Sequence, residues 1–188
     1  MTAFSALASI FTLSLAVVAG DQLRLRDLDG RAIDPFAGGP RAAAMVFVFV
    51  RPDCPVSNRY APELARMHDR FASRGVTFTL VYPGDAAATE AIRNHVHQYG
   101  YPFAALRDPD LSFAGAVAAT VMPEAAVFDA YGTLRYLGRI DDRYISAGRA
   151  RPAPTRRDLE EALESILAGR PVRAERTPAI GCLIADLR

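Results

Sequence analysis

Cys54 is one of two cysteines in this chain, and it lies where an apolar run gives way to an amphipathic segment. Residues 44–50 read AMVFVFV, a run too short to cross a membrane and rich in β-branched and aromatic side chains, which predicts a strand buried on both faces. After a turn, apolar residues recur at helical spacing, namely Tyr60, Leu64, Met67 and Phe71. The sequence therefore predicts a strand, a tight turn that contains Cys54, and a helix.

The chemistry available to Cys54 depends on its place at the start of this helix. Pro55 suits the first helical turn, because the amide proton that proline lacks would have no partner there. The positive end of a helix lowers the pKa of a thiol and favours the thiolate, which is the nucleophilic form. We therefore expect a reactive Cys54 sulfur that is presented to solvent. The alternative is that Cys54 is buried and serves only as a small hydrophobic side chain, as a lone cysteine after a strand often does.

The second cysteine, Cys182, lies in the segment TPAIGCLI near the end of the chain. The surrounding residues 170–188 show little periodicity and are expected to form a tail. Two cysteines allow one intramolecular disulfide. Such a bridge could persist in an oxidising compartment, whereas in the cytosol it would be a transient, catalytic state.

Length and charge narrow the classes of protein to which the chain can belong. A chain of 188 residues with 51% hydrophobic content is expected to form one globular domain with a sizeable core. The 22 basic and 21 acidic residues give a net charge of +1, so the chain has no broad electrostatic field for nucleic acid or an anionic membrane. We expect neither as a partner of the mature protein.

The N-terminal residues are typical of a secretory signal in their apolar part. Residues 6–20, ALASIFTLSLAVVAG, are uncharged, end in small residues and are short for a membrane span. The first five residues carry no lysine or arginine, which such signals usually have. We expect a signal peptide at residues 1–20 and a periplasmic or secreted mature protein. The alternatives are an N-terminal hydrophobic strand or helix packed on the domain, or a wrongly assigned start codon, and the protein would then be cytoplasmic.

The remaining chain alternates between strand and helix patterns. A small hairpin is expected around residues 23–33, and further strands are predicted at residues 76–82, 103–106, 125–129 and 134–140. Helices are predicted at residues 55–74, 86–99, 111–118 and 156–168, with Asp85 and Thr155 as caps of the second and fourth. This order predicts an α/β fold in which a mixed central sheet carries helices on both faces.

Three features of this pattern resemble the thioredoxin superfamily, and within it the redoxin group of TlpA-like thiol-disulfide oxidoreductases and peroxiredoxins. They are VFVFVRPDCPVSNRYAPEL at residues 46–64, Val121-Met122-Pro123 before a strand, and the hairpin AVFDAYGTLRYLGRI at residues 126–140. The resemblance covers roughly residues 22–169. It implies a single thioredoxin-like domain at residues 21–169, with an N-terminal hairpin and a C-terminal tail at residues 170–188.

The active-site motif departs from each branch of that group. A dithiol reductase needs Cys-x-x-Cys, but Ser57 stands at the second cysteine position and cannot release a mixed disulfide. Sco-type copper carriers need Cys-x-x-x-Cys, and the corresponding residue here is Asn58. Peroxiredoxins carry a threonine or serine three residues before the reactive cysteine, where this chain has Arg51.

The resemblance implies a role for each residue around the motif. Cys54 attacks a disulfide or peroxide, Ser57 stabilises its thiolate, and Pro123 is the cis-proline whose neighbouring backbone aligns a substrate strand. The residues expected to contact substrate are Arg51, Pro55, Asn58 and Met122. An arginine near the sulfur would stabilise the thiolate, whereas the carboxylate of Asp53 would oppose it.

Cys182 has three possible roles. Some peroxiredoxins resolve their disulfide with a C-terminal cysteine, which implies that Cys182 could resolve the product formed at Cys54. The same two cysteines could instead form a passive structural disulfide, or they could never meet.

The chain is thus expected to be an antioxidant-type or thiol-disulfide oxidoreductase without a cofactor, acting on a protein thiol or disulfide or on a small peroxide. The alternative is a non-catalytic binding module in which the cysteines form a staple or hold copper.

Two further sets of polar residues are weaker candidates. His95 and His97 are two positions apart on a predicted helix and so point about 200° apart, whereas a shared metal needs a spacing of three or four. We expect them, and His68, to be solvated helix residues and not metal ligands.

Asp142 follows the last hairpin strand beside Asp141 and is a candidate proton relay, although consecutive charges at a strand end are usually solvated.

Overall fold

The computed structural model describes residues 25–36, 42–85 and 87–187. Its strands are β1 (Leu25–Arg26), β2 (Ala32–Ile33), β3 (Ala44–Phe49), β4 (Val76–Pro83), β5 (Ala104–Asp108), β6 (Val121–Met122), β7 (Glu124–Asp129), β8 (Leu134–Gly138), β9 (Tyr144–Ser146), β10 (Arg149–Ala150) and β11 (Cys182–Leu183). Its α-helices are α1 (Pro55–Arg59), α2 (Ala61–Phe71), α3 (Thr89–Gln98), α4 (Ser112–Val117) and α5 (Asp158–Leu167), and 3₁₀ turns lie at Ala72–Arg74 and Ile184–Leu187. The expected signal peptide at residues 1–20 lies outside the described residues.

Within the described residues, seven strands form one sheet in the order β2-β1-β5-β4-β3-β7-β8. The three central strands β5, β4 and β3 run parallel, and β7, β8, β1 and β2 join them through antiparallel pairs. This arrangement confirms the predicted mixed sheet, including the antiparallel hairpin of β7 and β8. Two small pairs, β9 with β10 and β6 with β11, lie outside the sheet.

Both faces of β3 are buried, as its uninterrupted apolar run predicts. Val46 and Val48 belong to a first core, which the apolar faces of α2, α3 and α5 cover. Phe47 and Phe49 belong to a second core, which α4 and the tail residue Ile184 cover. The predicted placement of helices on both faces is therefore confirmed. Among the described residues, no helix is long and apolar enough to cross a bilayer.

The helix predicted at residues 55–74 is divided in the structure. α1 ends at Arg59 and α2 starts at Ala61, with Tyr60 as the cap between them, because Pro62 has no amide proton for the helical hydrogen bond that a continuous helix would require. A 3₁₀ turn follows α2, and Gly75 closes it with a φ of 80°, in the left-handed region that glycine adopts without steric cost.

Two predicted helix caps are wrong. Asp85 forms an ion pair with Arg107 on β5, and α3 begins at Thr89 instead. Thr155 uses its hydroxyl and its amide to hydrogen-bond the Asp142 carboxylate, at 2.5 Å and 2.7 Å, so α5 begins later, at Asp158. In both cases a partner distant in the sequence takes the polar group that a local cap would have used.

Candidate functional site

Cys54 lies at the N-cap position of α1, directly after the turn that follows β3. Its carbonyl oxygen accepts the amide hydrogen bond of Asn58 at 3.1 Å, and Pro55 is the first residue of the helix. This is the strand-turn-helix arrangement that the sequence predicts. Because α1 has five residues, the amides of its first turn, and not a long helix, are what can stabilise a thiolate here.

Cys54 is bonded to Cys182 across a sequence separation of 128 residues, with 6.3 Å between the Cα atoms. The bridge removes one of the three alternatives for Cys182, that the two cysteines never meet. The expected solvent exposure of the Cys54 sulfur is wrong for this oxidised state, since the residue is 0% exposed. The tail residue Cys182 and the Met122 carbonyl group both lie against its sulfur.

The peptide bond between Met122 and Pro123 is cis, as the resemblance implied for this position. The Met122 carbonyl oxygen lies 3.4 Å from Cys54 Sγ. β6 thus places a backbone acceptor directly beside the bridge. The structure brings Cys54, Cys182, Met122 and Pro123 together, and their roles in catalysis and substrate binding stay predictions.

The C-terminal tail is ordered against the domain by backbone hydrogen bonds at two places. The Leu137 amide donates a hydrogen bond to the backbone carbonyl oxygen of Glu175 at 2.8 Å. The Thr177 amide donates to the backbone carbonyl oxygen of Leu137 at 3.2 Å. Further along, β11 pairs antiparallel with β6, with Cys182 opposite Met122. We call residues 175–184 the docked tail.

Two glycines allow this close approach of the docked tail. A Cβ atom at Gly138 would lie 2.6 Å from the carbonyl oxygen and 2.8 Å from the amide nitrogen of Thr177. A Cβ atom at Gly181 would lie 2.7 Å from the Met122 carbonyl carbon and closer still to its oxygen. Neither glycine could be identified from hydrophobic periodicity, because each matters through a contact with a distant part of the backbone.

Ser57 and Arg51 do not contact the bridge in the way that the resemblance implied. Ser57 is buried, and within the described residues its Oγ atom has no hydrogen-bond partner, the Cys54 sulfur included. The Arg51 guanidinium forms two hydrogen bonds to Asp53, at 2.5 Å and 2.6 Å, and these hydrogen bonds lower the pKa of the Asp53 carboxyl. The two charges neighbouring Cys54 therefore neutralise each other, and the substrate contact expected of Arg51 stays a prediction.

His95 is a buried neighbour of the functional site, so the solvated position expected for it is wrong. It is 3% exposed, and its Nε2 and Nδ1 atoms lie 2.9 Å from Asn58 Oδ1 and 2.7 Å from the Tyr82 hydroxyl. Asn58 Nδ2 donates to the Pro52 carbonyl at 2.9 Å, so its Oδ1 accepts from His95, and the Tyr82 hydroxyl donates to Nδ1. This chain of hydrogen bonds ties α3 to the turn that presents Cys54. Its signal in the sequence was the position of His95 three residues after buried Ile92, on the same helix face.

We expect a His95→Gln substitution to lower the free energy of unfolding by about 1–2 kcal/mol, because at least one of two buried hydrogen bonds is lost. Burial lowers the pKa of His95, so its stabilising contribution is complete above the ordinary histidine pKa and is lost as the pH falls through the lowered value. Urea unfolding at several pH values between about 7 and 4 should therefore show a shallower acid loss in the variant than in wild type.

The matched control is His97→Gln, which changes an exposed histidine on the same helix and should leave the free energy of unfolding at neutral pH unaltered. Equal acid profiles for the wild type and both variants would contradict the assignment of His95 as a buried neutral group.

Asp141 and Asp142 are buried, contrary to the expected solvation of these consecutive charges. Asp141 accepts hydrogen bonds from the Tyr60 hydroxyl at 2.5 Å and from the Arg143 amide at 2.9 Å, which anchors the end of α1. Burial acts to raise the pKa of Asp142, but hydrogen bonds from Thr155 and Arg156 outweigh it and lower the pKa to about 2. The proton relay considered for Asp142 is not supported, because the carboxylate is occupied as a structural acceptor.

Glu124 is a further buried group beside the site, and it is not among the residues predicted from the sequence. It directly follows Pro123, its Oε2 accepts the Thr120 amide at 2.9 Å, and burial raises its pKa. A carboxylate at the start of a predicted core strand was the available signal. Among the described residues, no group of three or more His, Cys, Asp or Glu side chains is placed to hold a metal ion.

Comparisons with known proteins agree with this geometry. No curated protein matches the chain. An uncharacterized conserved protein from Geobacillus kaustophilus is 29% identical, with a TM-score of 0.73 over 86% of this chain and 87% of that one. A hypothetical protein from Sinorhizobium meliloti is 28% identical, with a TM-score of 0.71 over 85% of this chain and 88% of that one.

A secreted disulfide oxidoreductase from Mycobacterium tuberculosis shares the fold. It is 22% identical, with a TM-score of 0.53 over 79% of this chain and 96% of that one. The model of the AhpC/TSA family matches residues 12–137, which is most of the chain and includes Cys54. The protein is therefore a thioredoxin-like redoxin that belongs to the AhpC/TSA family.

Proposed function

We propose that this protein is a thiol-disulfide oxidoreductase that cycles between the Cys54–Cys182 bridge and the dithiol. The observation that carries the proposal is the place of the bridge, between the first turn of a helix and the backbone beside a cis-proline. A disulfide with a purely structural role would require neither the start of a helix nor a cis-proline beside it. The AhpC/TSA membership supports redox use of the cysteine.

In the proposed reaction the Cys54 thiolate attacks one sulfur of a substrate disulfide. A bond forms between the two sulfurs, the substrate S–S bond breaks, and the other substrate sulfur leaves as a thiolate. The Cys182 thiolate then attacks the Cys54 sulfur, forms the observed bridge and releases the second substrate thiolate. Two electrons pass from the protein to the substrate, and an external dithiol restores the reduced form.

Cys182 is the resolving residue in this scheme, because Ser57 stands where a neighbouring thiol would otherwise be. The docked tail holds Cys182 near Cys54 for this step through its backbone hydrogen bonds at Leu137, and Cys182 pairs with Met122 as the substrate leaves. A persistent bridge suits an oxidising compartment, which is the location expected from the signal predicted at residues 1–20.

Peroxide reduction is the second candidate, supported by the AhpC/TSA match. There the Cys54 thiolate would take the terminal oxygen of a hydroperoxide, release an alcohol and become a sulfenic acid, which Cys182 would convert to the bridge with loss of water. Disulfide exchange is favoured because position 51 has no hydroxyl group and the Arg51 guanidinium is paired with Asp53.

The test is to reduce the protein with a dithiol, remove the reductant and add either a small disulfide or a hydroperoxide. We expect the disulfide to restore the bridge rapidly, detected by mass spectrometry after alkylation of free thiols, and a Cys182→Ser variant to accumulate a mixed disulfide at Cys54.

A faster response to hydroperoxide would favour the second candidate. A bridge that neither dithiol nor disulfide exchanges would contradict both candidates and support a staple. Copper retained in equimolar amount by the reduced protein would instead support a metal-binding module.

A further inference from the structure

We propose that the edge of β6 binds an extended protein segment in which a glycine precedes the reacting cysteine and an aliphatic residue lies two positions after it. This inference rests on the proposed function and names its substrate class. The tail residues Gly181, Cys182 and Ile184 occupy that edge in the oxidised protein. They show which side chains the edge accepts next to Cys54.

The requirement for glycine comes from the backbone of Met122. A Cβ atom at position 181 would lie 2.7 Å from the Met122 carbonyl carbon and 3.2 Å from Pro123 Cδ, distances that need one partner to move. The two nearest obstructing atoms belong to the Met122 carbonyl group, whose oxygen lies 3.4 Å from Cys54 Sγ, so they cannot move without disturbing the site. A segment with a larger residue before its cysteine is therefore expected to pair poorly with β6.

The requirement for an aliphatic residue comes from the second core. Ile184 is 5% exposed and packs in that core, and its amide donates to the Thr120 carbonyl at 3.0 Å. Leu183, the last residue of β11, is 50% exposed, whereas Ile184, which begins the 3₁₀ turn, is turned into the core. The residue between the cysteine and the aliphatic position is therefore expected to contribute little to recognition.

The docked tail and a partner segment cannot occupy the edge of β6 at the same time. In the tail, Cys182 lies opposite Met122 and Leu183 opposite Val121. A partner cysteine bonded to Cys54 would need the same backbone groups of β6. Reduction of the bridge removes the covalent bond that holds the tail at this edge, so a partner segment can compete with the tail for it, and the return of the tail that forms the bridge also displaces the partner segment.

The test uses full-length reduced protein, both wild type and Cys182→Ser, and synthetic heptapeptides of sequence AIGCLIA with a 2-thiopyridyl disulfide on the cysteine. Attack by Cys54 releases 2-thiopyridone, whose absorbance gives the rate. Each rate is divided by the rate of the same peptide with glutathione. We expect a glycine-to-alanine change and an isoleucine-to-serine change at the second position after the cysteine each to slow the reaction about tenfold or more, whereas a leucine-to-serine change has little effect.

The outcomes separate this inference from the proposed function. Equal normalised rates for all peptides would overturn the sequence preference while leaving disulfide exchange intact. A Cys54 that reacts with a small disulfide but with none of the peptides would also overturn it. A Cys54 that reacts with neither would contradict the proposed function itself.

A second variant tests the competition by the tail. Gly181→Ala in the Cys182→Ser background should weaken docking of the tail and speed the reaction with the AIGCLIA peptide. The matched control is Gly115→Ala, since a Cβ atom at that α4 position has nothing within 4 Å. Unchanged rates with Gly181→Ala would show that the tail does not occupy the edge in the reduced protein and would overturn the exclusion of one segment by the other.

Discussion

Reduction of the Cys54–Cys182 bridge is expected to lower the free energy of unfolding by about 5 kcal/mol. The bridge joins residues separated by 128 positions, and a cross-link that closes so long a loop removes much conformational entropy from the unfolded chain. Urea unfolding of oxidised and reduced protein, followed by circular dichroism because the chain contains no tryptophan, would measure the difference.

The control for this measurement is the Cys182→Ser variant, which should match the reduced wild-type protein and should not respond to dithiol. The dependence of the unfolding free energy on urea should be steeper without the bridge, because the unfolded chain expands when the cross-link is removed. A difference below about 1 kcal/mol would contradict the entropic account and would show that strain or residual structure offsets the cross-link.

A loss of this size matters for the proposed cycle, because it is comparable with the whole stability of an ordinary domain. The reduced form must then be held by contacts that do not involve sulfur. In the docked tail these include the hydrogen bond between the Tyr136 and Thr177 hydroxyls, at 2.6 Å, and the buried side chain of Ile184. The oxidised protein is thus expected to be the more stable partner of the pair, and the reduced protein the more reactive.

The central sheet and the position of Cys54 were accessible from the sequence because both depend on local patterns. An apolar run followed by a turn and a helical period predicted β3 and α1, and alternation around Gly132 predicted the hairpin of β7 and β8. These patterns repeat over several residues, so a single exception, such as the break of the first helix before Pro62, shifts a boundary without changing the fold.

The partners of isolated polar residues were not accessible in the same way. His95, Asp141 and Asp142 were expected in solvent, because that is the usual place of a charged or polar residue whose neighbours are known only along the chain. Each is buried in the structure against groups from a different element. The docking of the tail beside Cys54 could not be predicted for the same reason, since a tail with little periodicity gives no signal of where it packs.

A Gly138→Ala substitution is the second change for which we expect a large effect, on the equilibrium between bridge and dithiol. The added Cβ atom would lie 2.6 Å and 2.8 Å from the carbonyl oxygen and amide nitrogen of Thr177, both of them backbone atoms. The tail must then move away from β8, and the hydrogen bonds between Leu137 and the tail weaken.

Because those bonds hold Cys182 near Cys54, their loss should reduce the effective concentration of the Cys182 thiol by about a hundredfold, or about 3 kcal/mol in the bridge equilibrium. Equilibration with mixtures of reduced and oxidised glutathione, followed by alkylation and mass spectrometry, would measure the shift. The alkylation rate of Cys54 in the reduced variant should rise, since a tail that is held less tightly at β8 competes less for the edge of β6 beside Cys54. Gly115→Ala serves as the control, and an unaltered bridge equilibrium in Gly138→Ala would contradict the role of the docked tail, because Cys182 would then reach Cys54 without being held at β8.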